Sequence, residues 1–262
     1  MKKLTAEELR NNFERLIEFI STEFSGNRKE KLLDLYNGLG ERIMMAPASG
    51  NEGFHNCFIG GYCDHVLNVI DCARAQYEMW SAMNANTDSY TYEELMFSAL
   101  NHDLGKVGDL DNEYYIPNPS EWHRKNQGKI YEHNKNLTYM RVADRSLFLL
   151  QQADISITTN EFLAIKLHDG LYVDDNKAYY FSGYNSGGLK NHLPILLHHA
   201  DHMASTIERE SQLAQEQPLK DIKASSNGVT NKNRMKSFTK IAETNTTTQK
   251  HSDLFNELFK DV

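Results

Sequence analysis

Apolar residues recur at helical spacing along most of this 262-residue chain, and that periodicity is the strongest constraint on its fold. Leu9, Phe13, Leu16, Ile17, Ile20 and Phe24 form one stripe, opened by a capping box in which Thr5 is the N-cap and Glu8 reaches back to it. Leu32, Leu35, Tyr36, Leu39 and Ile43 predict a second helix, and Val66, Val69, Ile70, Ala73 and Tyr77 a third. Another capping box, Thr91-x-x-Glu94, opens a helix with Leu95, Ala99 and Leu100, which Gly105 is placed to stop in a left-handed conformation. Further helices are predicted from about Met140, from Thr159 to His168 and from about Pro194 to Glu210. Strand signals are sparse, so the expectation is an all-α helical bundle. Residues 107–136 and 169–188 read as surface excursions.

The expected organisation is N-terminal helices over 1–45, a core over 46–212 and a polar tail over 213–262. At the end of that tail, Leu254, Phe255, Leu258 and Phe259 return at helical spacing. Such a piece can dock on its own body or on a second copy, so a homo-oligomer stays open. A net charge of −8 argues against general adhesion to nucleic acid or anionic lipid. Cys57, Cys63 and Cys72 are odd in number and not in CxxC spacing, which suits free thiols in a reducing cytoplasm. Neither a signal-peptide core nor an 18-residue apolar run is visible, so export and membrane insertion are not expected.

The histidines carry the chemical signal. His65, His102, His168, His198 and His199 fall near ends of predicted helices, beside acidic residues or glycine. One such histidine is usually a satisfied, partly buried imidazole. A single His-Asp doublet also means little, and NHDLGK (His102-Asp103) has a twin in LHDG (His168-Asp169). In order, however, GGYCDHVLNV, NHDLGK and HHADHMAS put His65, then His102 with Asp103, then Asp201 on three different helices. Two imidazoles and two carboxylates suit a divalent cation such as Mn, Fe, Co, Ni, Zn or Mg, with positions left for water and substrate.

This H…HD…D order resembles the HD-domain superfamily of metal-dependent phosphohydrolases. FHNCFIGGYCDHVLNV looks like the helix entry of HD-domain exoribonucleases and related hydrolases. EFLAIKLHDG is similar to their AIxxH segment, and LLHHADHMAS to the final ADxxA helix. The resemblance spans about residues 42–210 and extends to HD proteins of tailed phages on the APAS…GG…H segment, which would place the chain in a host cytoplasm. It implies an HD-type bundle, with His65, His102, Asp103 and Asp201 as metal ligands. It also implies His168 as a ligand of a second metal. Two-metal members usually carry another histidine where this chain reads TYMRVADRSLFLL, which has none, and His133 lies several residues too early. One metal, with His168 beside the substrate or on a weaker second metal, fits as well.

The implied reaction is hydrolysis of a nucleotide or other small phosphate ester by a metal-activated water. Asp103 would ligate the metal and orient the nucleophile. Lys106 would meet a phosphate oxygen, or else serve only the helix C-terminal dipole. Trp122, Arg124, Lys125 and Lys129 form a local cluster of cations and aromatics that reads as a base and phosphate site or as an ordinary solvated loop. Arg145 is a phosphate candidate or a structural donor. The alternatives to hydrolysis are an HD-fold di-iron oxygenase and a non-catalytic nucleotide-binding module.

Overall fold

Thr5 and Glu8 close their capping box: the Glu8 backbone N–H donates to the Thr5 hydroxyl at 3.2 Å, and the Thr5 N–H donates to the Glu8 carboxylate at 2.7 Å. That cap starts α1 (Ala6–Glu23) in a computed structural model of the chain, which describes residues 3–181 and 188–216. The sequence stripe from Leu32 to Ile43 is buried, but it belongs to two helices, α2 (Gly26–Gly38) and α3 (Gly40–Met45). The chain breaks at Leu39 (φ −98°, ψ 7°), where the Phe13 ring packs against Gly40 so closely that a Cβ there would lie 3.0 Å from it.

The long α4 (Gly61–Ala82) follows, then α5 (Tyr92–Asn101), capped by Thr91 and Glu94. Gly60 enters α4 at φ +84°, and a Cβ on Gly61 would lie 2.0 Å from the Asn56 carbonyl oxygen, so this glycine pair permits the tight entry before His65. Past α5, Gly105 is not left-handed as expected. It sits in a 3₁₀ turn, Leu104–Val107, and the positive φ falls at Gly108 (+107°). Gly105 is small for another reason: a Cβ would meet the Val142 carbonyl oxygen at 2.2 Å.

Residues 107–136 are not a plain excursion. They contain β1 (Tyr115–Pro117), α6 (Glu121–Gln127) and β2 (Tyr131–His133), with the two strands antiparallel and Tyr115 opposite His133. Three-residue strands are too short to show a period in sequence, although their tyrosines favour a pleated surface. Then come α7 (Val142–Gln152), α8 (Thr159–Leu167), a one-turn α9 (Lys177–Tyr180) and α10 (Leu193–Glu216). Thr158 rather than Thr159 caps α8, closing a third capping box with Glu161. Among the described residues the chain is thus mostly helical with one two-stranded sheet, and no helix is long and apolar enough to cross a membrane. Met1–Ala214 form one unit; the tail and terminal piece expected beyond it lie almost wholly outside the described residues.

The helices that carry the histidines are held by the N-terminal ones. Tyr36 of α2 is fully buried and donates its hydroxyl to the Leu100 carbonyl at 3.0 Å, one residue before the end of α5. Arg28 of α2 grips the buried Glu161 of α8 at 2.6 and 3.0 Å. Thr158 donates to Glu94 at 2.6 Å, tying α8 to α5.

Candidate metal centre

Four segments meet at one buried point. His65, in the first turns of α4, and His102, just past α5, are wholly buried, and their rings lie 5.6 Å apart between centroids. Asp103 Oδ2 is 3.6 Å from His65 Nε2 and 3.5 Å from His102 Nε2. Asp201 Oδ1 on α10 is 3.1 Å from His65 Nε2. The ligand atoms of His65, His102 and Asp201 all lie within 4.8 Å of one another, a spacing that could hold a metal ion.

His168 joins them. Its Nε2 is 3.6 Å from Asp103 Oδ1, and its ring is 5.0 Å from that of His102. The second His-Asp doublet is therefore part of the same centre rather than a chance twin. Both doublets are built alike. Each histidine sits at a helix C-cap, and its Nδ1 lies 2.8 Å from the carbonyl three residues back, Ala99 for His102 and Ile165 for His168. A carbonyl only accepts, so Nδ1 carries a proton, and Nε2 is the atom each ring turns to the centre. By contrast His198 and His199 lie inside α10 rather than at its end. His198 packs against Gly170, where a Cβ would lie 2.6 Å from its ring, and its Nδ1 lies 2.7 Å from the His168 carbonyl, fixing the turn behind that histidine.

Two further residues belong here that the sequence reading missed. Glu208 is buried on α10, with carboxylate oxygens 3.1 and 3.2 Å from His65 Nδ1, and it accepts from Asn68 at 2.7 Å. Its signal was its place seven residues after Asp201, two turns along the same helix face, but acidic residues are too common on helices for that to stand out. His55 precedes α4; its ring centroid is 4.5 Å from that of His65, and its Nε2 is buried without a hydrogen-bond partner. His55, His65 and Glu208 form a second trio with metal-ligand spacing.

The electrostatics call for positive charge. Burial works against ionisation of His65, but Glu208 and Asp201 outweigh it and raise its pKa to about 10. Burial likewise opposes a charge on His168, yet Asp169 and Asp103 lift it to about 9. Asp103 is buried too, but Lys106 and His102 hold its carboxyl well below the usual range; Lys106 Nζ is 2.6 Å from Oδ2. His55 goes the other way: burial, then His65 and Lys106, push it down to about 2, so it stays a neutral lone-pair donor.

The donor set fits a cation. His65 Nε2 and His102 Nε2 are buried nitrogens without a hydrogen-bond partner; Asp201 is near the first but out of line for one. Buried unpaired acceptors that converge beside two carboxylates need a proton or a metal to satisfy them. Asp201 keeps 20% of its side-chain exposure and Lys106 keeps 15%, against 3% or less for His65, His102, Asp103 and His168. Access to the centre runs past those two residues.

A pH dependence follows. With no metal bound, the raised His65 and His168 pKa values contribute stability in full below their unfolded value of about 6.5, and that contribution is lost as pH rises toward 9–10. The melting temperature of chelator-treated protein should therefore fall between pH about 6.5 and 8, a window below ordinary thiol and tyrosine titration. Saturating divalent metal should flatten that slope, because the same nitrogens are then held without protons. Equal slopes with and without metal would contradict the assignment.

The residues expected to bind substrate are not gathered here. Trp122 is exposed, Lys125 pairs with Glu121 at 2.5 Å, and Arg124 donates to the Asn118 carbonyl. Lys129 lies where the chain bridges to Asn51. Arg145 is buried and donates to the Thr138 carbonyl at 2.7 Å, with its guanidinium over the Tyr114 ring, which is the structural role. His133 is exposed on β2, its ring tilted at 40° against that of Tyr114 at 4.8 Å between centroids, and it belongs to neither trio. Lys106 instead lines a groove of about 420 Å³ between the end of α3 and the β1–β2 hairpin. Comparison with protein-family models, with curated protein sequences and with solved structures finds no match to this chain.

Proposed function

We propose that the chain is an HD-type, metal-dependent phosphohydrolase acting on a nucleotide or a related small phosphate ester. The observation that carries the reading is the convergence of His65, His102, Asp103 and Asp201, two of whose buried nitrogens have no hydrogen-bond partner. These four would hold a divalent first-row metal, and His168 stands where it would bind a second metal or face the substrate. A bound divalent cation makes a hydroxide-like water available near neutral pH and polarises a phosphoryl oxygen.

The chain's own residues supply the rest. Asp103 carries charge at the centre and, beside the ligand set, is placed to orient a water. Lys106 compensates Asp103 and offers its ammonium to a phosphate oxygen arriving from the groove. Glu208 accepts from His65 Nδ1–H and fixes the tautomer that leaves Nε2 free, as outer carboxylates do for ligand histidines. Glu208→Ala is expected to weaken metal binding by about 10–100-fold, measured by chelator competition. An unchanged affinity would remove Glu208 from the site.

The di-iron oxygenase alternative needs a further histidine near the start of α7. None is there, and His133 is held away on β2. The decisive experiment is metal analysis of the purified protein followed by a panel of phosphate compounds with Mn, Co, Ni, Fe, Zn and Mg. Metal-dependent phosphate release is the expected result. No turnover of any phosphate compound with any of these metals would overturn the reading, and iron-dependent oxygen uptake would replace it with the oxygenase.

A further inference from the structure

We infer that the groove beside Lys106 takes the flat, uncharged body of a phosphate monoester, in the first instance a nucleoside monophosphate; this rests on the phosphohydrolase reading. Lys106 joins groove and centre, because its side chain lines the one and its Nζ lies 2.6 Å from Asp103 in the other. A phosphate held at Lys106 therefore leaves the rest of its molecule in the groove.

The walls there are aromatic. Tyr115 and Tyr131 line the groove from opposite strands of the hairpin, with ring centroids 6.5 Å apart. Tyr115 is fixed against the backbone at Gly50, where a Cβ would lie 3.1 Å from its ring, and the Tyr131 N–H donates to the Gly50 carbonyl at 3.0 Å. The packed Tyr115 ring, beside the Tyr131 ring on a hydrogen-bonded strand, makes a stacking surface with two side-chain torsions in each ring to order. A volume of about 420 Å³ is of the size used for small organic ligands.

Charge restricts the ligand further. The other lining cation, Arg42, is committed: its guanidinium donates to the carbonyls of Asp109, Leu110 and Asn112. Exposed Glu41 and Glu113 also line the groove. One phosphate is met by Lys106, whereas a di- or triphosphate tail in the groove would face carboxylates, with the Arg42 terminal nitrogens already turned to backbone carbonyls. The groove thus selects one phosphate and a neutral, planar remainder.

Calorimetric binding to the metal-loaded full chain tests this with AMP, ATP and ribose 5-phosphate as probes. AMP should bind about tenfold or more tighter than ribose 5-phosphate, which lacks the base, and ATP should bind no tighter than AMP. Tyr131→Ala should bring the AMP to ribose 5-phosphate ratio close to one, while Tyr131→Phe, which keeps the ring, should preserve it. A fold defect alone would lower both affinities together and leave the ratio. Equal binding of AMP and ribose 5-phosphate by the wild type, an unchanged ratio in Tyr131→Ala, or tighter binding of ATP would each overturn the inference. Selective AMP binding without hydrolysis of any phosphate ester would uphold the groove and overturn the phosphohydrolase reading instead.

Discussion

Asp103→Ala is expected to abolish both metal retention and phosphate release. Asp103 is the residue that the centre shares most widely: its two carboxylate oxygens lie within 3.6 Å of His65, His102 and His168, and one of them holds Lys106. Removing it leaves Lys106 largely buried without its counter-charge and takes away a carboxylate that lies within 3.6 Å of three imidazoles. The loss in metal affinity should exceed the roughly hundredfold ceiling seen for outer partners of metal ligands. Asp103→Asn keeps the shape and a hydrogen-bond acceptor for Lys106, so it separates loss of charge from loss of fold. Both variants should lose metal and activity while keeping a native circular dichroism spectrum. Retained metal and normal turnover in either would mean that Asp103 is not a ligand.

Arg28→Ala should be among the most destabilising single changes outside the centre. Glu161 has no exposed side-chain surface, and burial pushes its carboxyl pKa up even with Arg28 and the Thr158 N–H opposing the shift. Arg28 meets it with two hydrogen bonds, donates to the Ser156 carbonyl at 2.9 Å, and lies 4.6 Å from the centroid of the Phe97 ring. Truncation strands a buried carboxylate, a change that costs about 3–5 kcal/mol. Denaturant unfolding should show that loss as a lower midpoint. A change below about 1 kcal/mol, the range of exposed ion pairs, would show that water reaches Glu161 and compensates it. Replacing both partners, Arg28→Met with Glu161→Gln, should recover part of the loss, since Gln keeps an acceptor for the Thr158 N–H and leaves no buried charge unpaired.

Much of the scaffold was legible because helices write themselves into sequence. The capping boxes at Thr5 and Thr91 and the stripes from Leu9 and Val66 appear where their spacing puts them. The break at Leu39 was not legible, since it depends on Phe13 packing against Gly40 from another helix. Nor was the hairpin, whose strands are three residues long and pair across an intervening helix. Gly105 shows the same limit: a glycine after a helix suggests a left-handed cap, but only the approach of Val142 explains this one.

The centre was readable in part. His65, His102, Asp103 and Asp201 stood out as a set in order along the chain, and they lie together. His168 carried a weaker signal because an isolated His-Asp doublet is common. Its equivalence to His102 lies in the hydrogen bond of each Nδ1 to the carbonyl three residues back. Glu208 carried only its helical spacing from Asp201, too common to stand out, and His55 carried none, because orienting a neighbour or offering one nitrogen leaves no motif. The loop cations went the other way: Arg124, Lys125 and Lys129 read in sequence as either a phosphate site or a solvated loop, yet Arg124 and Lys125 are already engaged, and none of the three lines the Lys106 groove.

The measurement that bears most directly on the centre is titration of chelator-treated protein with Mn(II), followed by electron paramagnetic resonance of the free ion. If the four converging side chains are metal ligands, the wild type shows saturable uptake that is lost in Asp103→Ala and His102→Ala, with native fold in both. Free Mn(II) that rises in step with the amount added to folded wild-type protein, or uptake unchanged in both variants, would contradict a metal centre at His65, His102, Asp103 and Asp201.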